Sequence, residues 1–327
     1  MLRFILLGDI LRILVIRLSS IGDIFHGFTI LPDLKKVFPD ATIDWLVDEN
    51  FTEIAKLSPL IDNVIPIPLR KWKKNKLSLI SKLIQYKKSL PNIEYDYIID
   101  TQGLLKSALL AKFLFNGYVY GYDKKSARES LASLFYNFTY TVNQNDIAVV
   151  RFRGLIAKIF NLTHDLRQIN FILKQENLDY EFNDGYILFL HGTSKVSKQW
   201  NLVNWLTISN WIINNTSKQI VLTYSNSAEQ KFAQQLVSAL PHDRVKLIDK
   251  MLPLQLIGLI NNADLVIGVD TGFTHCANLL GKATLAIYLD SNPNYVGMLE
   301  SKIAHNLGGY QQQVSPATVI EYIQSLI

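Results

Sequence analysis

Cysteine is almost absent from this chain. Cys276 is the single thiol, so no internal disulfide can form and no cysteine-built metal site exists. A reducing compartment, the cytoplasm, is the default for such a composition. The six histidines are scattered without the spacing of ligands, and no metal site is expected. No run approaches the roughly 20 unbroken apolar residues of a membrane-spanning helix. The apolar start, Met1 to Leu7, resembles the opening of a secretion signal, but Asp9 and Arg12 interrupt it and no small-residue cleavage site follows. Residues before about Arg12 are read as an extension ahead of the first strand. Glycine signatures are missing too: without a Gly-x-Gly-x-x-Gly turn a nicotinamide or flavin dehydrogenase is disfavoured, and there is no P-loop.

Acid is missing from one long window. Between Asp62 and Glu94 there is no Asp or Glu, while Arg70, Lys71, Lys73, Lys74, Lys76, Lys82, Lys87 and Lys88 all fall there. Trp72 sits among these cations, and Pro66 and Pro68 precede them. The plain reading of such a run is a solvated face. The sharper one is an exposed loop carrying an amphipathic anchor for an anionic partner: a phosphorylated ligand, an acidic membrane surface or nucleic acid.

What the chain does contain is the makings of buried sheet. At 327 residues and 49% hydrophobic composition it has room for about two domains, each with its own core. The apolar run Ile13-Leu14-Val15-Ile16 reads as a buried parallel strand, and the polar turn after it opens a helix expected over residues 24–38, closed by Pro39. Strands are expected over 42–47, 63–67, 95–100 and 118–122, with a helix over 77–90 and another from Leu104; residues 126–136 are too polar at their start to be a buried element. Charged and amide residues replace the apolar pattern over 174–184, which sets the expected domains at 1–178 and 179–327. A second series follows, with strands over 186–190, 219–224 and 264–269 and a last one over 283–288. An amphipathic helix over 316–327 closes the chain and is allowed to pack back on the first domain. Alternating strand and helix predicts an α/β fold of two Rossmann-like domains, their parallel sheets facing across a cleft.

In open parallel sheets ligands sit outside the carboxyl ends of the strands, so the turns there carry the candidates. After the first strand, Ser19 and Ser20 can cap the helix and Gly22 permits a close backbone approach. Asp23 is left over, either as a solvated partner of the helix dipole or as a general base. In the second half, Asp270-Thr271-Gly272 with His275 resembles a phosphate-binding turn, in which the N–H groups of Thr271, Gly272 and Phe273 and the Thr271 hydroxyl would meet an anion. An ordinary capping turn with a core histidine is the plain alternative. Lys198 is either a solvated loop lysine or an ammonium within reach of a diphosphate. Glu229, opening the helix after another strand, suits a ribose diol. Together these make the second half look like a sugar-nucleotide site.

Several stretches carry a family resemblance. Arg17-Leu18-Ser19-Ser20-Ile21-Gly22-Asp23-Ile24-Phe25-His26 joins a basic residue, Ser-Ser and Gly-Asp. The others are Ile65-Pro66-Ile67 with Arg70-Lys71-Trp72-Lys73, the segments 99–107 and 127–137, Lys198-Gln199-Trp200, and Asp270-Thr271-Gly272-Phe273-Thr274-His275. From about Arg12 onward the chain resembles the bacterial heptosyltransferases of lipopolysaccharide inner-core assembly, most closely those that add the first heptose. The resemblance implies a GT-B fold and an inverting, metal-independent transfer of L-glycero-D-manno-heptose from ADP-heptose, with no further cofactor. It implies as acceptor the Kdo of Kdo-lipid A at the cytoplasmic face of the inner membrane, met by a monomer peripheral to that anionic surface and without nucleic acid. Asp23 would be the base, and Lys198, with Thr193 and Ser194, would stabilise the departing diphosphate. Asp270, Thr271, Gly272 and His275 would complete the donor site, with Glu229 on ribose and Met251 on adenine. Ser19, Ser20, Gly22, Arg70, Lys71, Trp72, Lys73, Lys106 and Arg128 are the acceptor candidates. Two alternatives stay open: the family's transfer to a heptose acceptor, and a non-catalytic basic Rossmann-like binding protein.

Overall fold

A computed structural model describes residues 11–73, 79–176, 182, 184–193 and 195–327. The apolar start of the chain, Lys74, Lys76 and Ser194 lie outside the described residues, and of Lys73 only the backbone is described. The chain divides into two units, Met1–Leu173 and Lys174–Ile327.

The first unit runs β1 (Arg12–Ile16), α1 (Ile21–Phe28), α2 (Leu31–Val37), β2 (Thr42–Asp48), α3 (Thr52–Ala55), β3 (Asn63–Ile67), α4 (Leu69–Lys73), α5 (Leu79–Ser89), β4 (Glu94–Asp100), α6 (Leu105–Leu114), β5 (Asn116–Tyr122), β6 (Phe138–Tyr140) and α7 (Ala148–Phe160). Its six described strands are parallel, in the order β3-β2-β1-β4-β5-β6. β1 is central and covered on both faces, which is why Ile13, Leu14, Val15 and Ile16 are all apolar and none is exposed. The helix expected over 24–38 is two helices. Pro32 lies in the first turn of α2, where its missing N–H costs nothing, whereas inside one long helix it would break the ladder. The Thr29 hydroxyl closes α1 by donating to the His26 carbonyl at 2.6 Å. The basic stretch Arg70–Lys73 is helical, on α4, and is not the loop expected there. β6, a three-residue edge strand, was not expected.

One buried ion pair ties α7 to α2. The Arg153 guanidinium grips Asp33 with Nε at 2.7 Å and Nη2 at 2.8 Å, and its Nη1 donates to the carbonyls of Leu166 at 2.8 Å and Gln168 at 2.7 Å.

The second unit runs β7 (Tyr186–Leu190), α8 (Leu202–Asn215), β8 (Gln219–Leu222), α9 (Ser227–Ser238), β9 (Val245–Leu247), α10 (Pro253–Asn262), β10 (Leu265–Val269), α11 (Gly272–Leu279), β11 (Thr284–Tyr288), α12 (Pro293–Val296), β12 (Ala304–Gly308) and α13 (Pro316–Leu326). Its sheet, again parallel, has the order β12-β11-β10-β7-β8-β9, the same winding as the first. Strand alternation splits the core in two. Ile187 and Phe189 of β7 pack with Trp205, Ile208 and Ile212 of α8, while Tyr186, Leu188 and Leu190 face Leu259 and Ile260 of α10. Val319 and Ile323 place α13 in the first of these clusters, within the second unit. The strand over 283–288 is not the last: β12 lies beyond it on the sheet edge, and its partly exposed His305 and Asn306 explain why it lacks a strand's apolar pattern.

Candidate active site

Each sheet reverses its winding between two neighbouring strands, β1 and β4 in the first, β7 and β10 in the second. In doubly wound sheets that switch point is where ligands bind. Asp23 comes from the turn after β1, and the turns after β7 and β10 hold Thr193, Lys198 and Asp270 to His275.

At the first switch point Ser20 is the N-cap of α1 and Asp23, three residues on, reaches back to it. The Asp23 carboxylate accepts from the Ser20 N–H at 3.1 Å and from the Ser20 hydroxyl at 3.2 Å. Burial pushes its pKa up, but the Arg17 guanidinium, the Ser20 N–H, His26 and the Ser20 hydroxyl outweigh burial and hold it below the usual carboxylate range. Asp23 is therefore ionised at neutral pH, the form a base requires. Arg17 is itself buried. Its Nη2 donates to the Thr101 carbonyl, its Nε to the Thr101 hydroxyl at 3.3 Å, and its guanidinium lies 4.0 Å from the Phe152 ring centroid. Burial lowers the Arg17 pKa against the pull of Asp23, and an arginine stays protonated through neutral pH.

Of the acceptor candidates, Ser19, Ser20 and Gly22 share this turn. Lys106, in the first turn of α6, and Arg128 flank the neighbouring turn after β4, because the Glu129 N–H donates to the Gly103 carbonyl at 3.0 Å and the Glu129 carboxylate accepts from the Leu105 N–H at 2.7 Å. Arg70, Lys71, Trp72 and Lys73 are elsewhere, on α4 after the edge strand β3. Lys71 is paired with Glu49 at 2.9 Å, Arg70 stands 3.7 Å from Asp48 and over the Phe51 ring, and Trp72 packs edge-on against Tyr86. Much of the expected basic anchor is thus engaged within its own unit.

At the second switch point the candidates converge on Asp270. Its carboxylate takes the Lys198 ammonium at 2.5 Å, the Ser291 hydroxyl at 2.6 Å and His275 Nε2 at 3.3 Å, and its carbonyl accepts from the Thr193 hydroxyl at 3.4 Å. Burial raises the Asp270 pKa, but His275, Lys198 and Ser291 more than reverse it and hold the carboxyl well below its usual range. Thr271 is the N-cap of α11 and its side chain makes no capping bond. The first N–H groups of a helix have no acceptor within the helix, and together with the dipole they suit an anion. Gly268 lets α11 come this close: a Cβ there would stand 2.1 Å from the Thr274 hydroxyl oxygen.

Beside this turn Glu229, in the first turn of α9, is held by the Ser225 N–H at 2.8 Å and hydroxyl at 2.7 Å. Its carboxylate lies over Gly192, where a Cβ would meet it at 2.5 Å. His191 Nε2 donates to the Glu229 carbonyl at 3.1 Å and its ring stacks on Phe232. Burial lowers the His191 pKa, so the ring is neutral. Met251 is half-buried at the border of the α10 core cluster. Among the described residues no three His, Cys, Asp or Glu side chains gather into a metal-ligand set.

Sequence reasoning left Arg17 without a role beyond its place in a signature, and assigned none to Thr101, Gln102, His191 or Ser291. The signal for Thr101 and Gln102 was topological. They follow the strand that a doubly wound sheet places beside the first.

The profile of glycosyltransferase family 9 (heptosyltransferase) matches residues 83–321. Lipopolysaccharide heptosyltransferase 1 of Salmonella typhimurium is 31% identical over 291 residues, covering 88% of this chain and 91% of its own length. Its namesake in Pseudomonas aeruginosa is 32% identical over 290 residues, covering 88% and 81%. Among solved structures, the E. coli heptosyltransferase WaaC with ADP-2-deoxy-2-fluoro heptose is similar at a TM-score of 0.84 and 28% identity, over 96% of this chain and 99% of that one.

Proposed function

The chain belongs to glycosyltransferase family 9, the heptosyltransferases, and we propose that it moves L-glycero-D-manno-heptose from ADP-heptose to the Kdo of Kdo-lipid A. It is a glycosyltransferase of lipopolysaccharide core synthesis with a GT-B fold. The observation that carries the reading is the convergence of Lys198, His275 and Ser291 on Asp270 at the mouth of α11. An ammonium beside a helix N-terminus supports a nucleotide diphosphate held at this turn.

Asp23 removes the proton from the acceptor hydroxyl as that oxygen bonds to the anomeric carbon, and the bond from that carbon to the ADP oxygen breaks with inversion. Negative charge then grows on the diphosphate. Lys198, Thr193 and the α11 N–H groups offset it, a task a divalent cation performs in other transferases. Asp270 and His275 orient the Lys198 ammonium and the Thr271-Gly272 turn, Glu229 takes the ribose diol, and Met251 lies against adenine. Ser19, Ser20, Gly22, Lys106 and Arg128 meet the anionic acceptor. Arg70 and Lys71, at the start of the acid-free segment, meet an anionic membrane surface at the cytoplasmic side of the inner membrane; among the described residues no helix is long and apolar enough to cross it. The protein acts as a monomer and without metal.

Purified protein incubated with ADP-heptose and Kdo-lipid A, in the presence of a chelator, is expected to give an acceptor heavier by one heptosyl group. Transfer only to an already heptosylated acceptor would move the chain to the family's later steps. No transfer to either would return it to the non-catalytic reading.

A further inference from the structure

The turn after β4 carries polar groups that face the turn after β1. Gln102 is buried, and its side-chain amide brackets the backbone leading to the base: Oε1 accepts from the Leu18 N–H at 2.7 Å while Nε2 donates to the Ser19 carbonyl at 3.2 Å. Gln102 is in turn fixed from behind. The buried Asp100 carboxyl accepts from the Gln102 N–H at 2.8 Å and the Gly103 N–H at 3.3 Å, and its other oxygen accepts from the Tyr136 hydroxyl at 2.8 Å. Thr101, between them, holds Arg17 through its carbonyl and hydroxyl, so the same turn fixes the guanidinium whose charge bears on Asp23.

We propose that Gln102 is a positioning residue for heptose transfer: its amide holds Leu18 and Ser19 so that Ser20 presents the Asp23 carboxylate in the reactive geometry. The inference rests on Asp23 being the base. A primary amide fits both halves of the bracket at neutral pH, because it accepts at one end and donates at the other. An ionised carboxylate of the same shape keeps the acceptor for Leu18, loses the donor, and sets a negative oxygen against the Ser19 carbonyl. Protonated, it regains an O–H that can donate there. A leucine offers neither.

Gln102→Glu and Gln102→Leu test this against wild type, with kcat and KM for ADP-heptose measured by product mass and the Kd of ADP measured separately. A misplacement of about 1 Å is worth roughly a hundredfold in rate, so kcat is expected to fall about 10- to 100-fold while KM and the ADP Kd stay within about twofold. The Gln102→Glu to wild-type ratio is expected to rise as pH falls, because protonation repairs the variant while wild type only loses its ionised base. A kcat equal to that of wild type in both variants overturns the proposal, as does a loss carried by KM, a ratio in Gln102→Glu that does not change with pH, or failure of the isosteric Gln102→Glu to fold. Should only Gln102→Leu fail to fold, Gln102→Glu decides the matter. A wild-type protein that transfers no heptose overturns the proposed function and this inference with it; an active wild type matched by its variants overturns this inference alone.

Discussion

Lys198→Met separates a structural lysine from one that serves the leaving group. The Lys198 ammonium is 2.5 Å from Asp270, with side chains 21% and 9% exposed, so the pair is largely but not wholly out of water. Removing one partner of a fully buried pair costs about 3–5 kcal/mol. Here Asp270 keeps His275 and Ser291, and water reaches the vacated side, so about 1–2 kcal/mol is expected. In a unit of this size each kcal/mol moves Tm by roughly 2–4 °C, giving a drop of about 2–8 °C. The pH dependence has a definite sign. Asp270 has a folded pKa below its unfolded value of about 3.9, so its stabilising contribution is complete above that value and is lost as pH falls towards the folded one. Without Lys198 the folded pKa rises back towards 3.9, the variant is less stable than wild type at neutral pH, and the gap narrows below about pH 4. Turnover should fall further than stability does: loss of one donor to a developing anion is worth roughly 100- to 1,000-fold in kcat. Thermal melts at several pH values and kcat at saturating ADP-heptose measure both effects. A variant that melts with wild type and turns over within about threefold of it would make Lys198 a solvated loop lysine and remove the argument for a diphosphate at this turn.

Asp23→Asn is expected to lower kcat by about 100- to 10,000-fold with the ADP Kd unchanged; turnover near the wild-type rate would remove Asp23 as base. Because Arg17 and Ser20 hold Asp23 below the usual carboxylate range, the acid limb of wild-type kcat/KM should lie below about pH 3.9, the value of a free aspartate. In Arg17→Met that limb should move up, and a pH profile with no shift would separate the two groups. Gly192→Ala places a Cβ where the Glu229 carboxylate now lies, so calorimetry should find ADP bound about tenfold more weakly; unchanged binding would free Glu229 from the ribose. Arg153→Met takes the bidentate partner from the buried Asp33 carboxylate and leaves it with His164 at 3.3 Å, so it should cost about 3 kcal/mol in urea denaturation with kcat unaltered in the folded protein, and a loss under about 1 kcal/mol would contradict the burial argument.

The buried strands were legible because a strand covered on both faces leaves no room for polar residues: Ile13 to Ile16 and Leu265 to Val269 read as unbroken apolar runs. β6, β9 and β12 were not, since each is an edge strand of three to five residues and needs to bury little. The site divides along the same line. Capping turns such as Ser20 with Asp23, or Asp270 with Thr271, are local, so a strand end followed by Ser, Asp or Thr announces them. The Arg153 to Asp33 pair spans 120 residues and the Gln102 to Leu18 bond 84, and nothing in either neighbourhood points to the other partner. Only the strand order does. The winding that sets β4 beside β1 brings Gln102 to Leu18 and Ser19, and the repeat of that winding sets β10 beside β7, where Thr193 donates to the Asp270 carbonyl across 77 residues. In both sheets, then, a side chain from one switch-point turn grips the backbone of the other. Polar residues just past the first and fourth strands of a doubly wound sheet are therefore better read as a pair than as two separate caps.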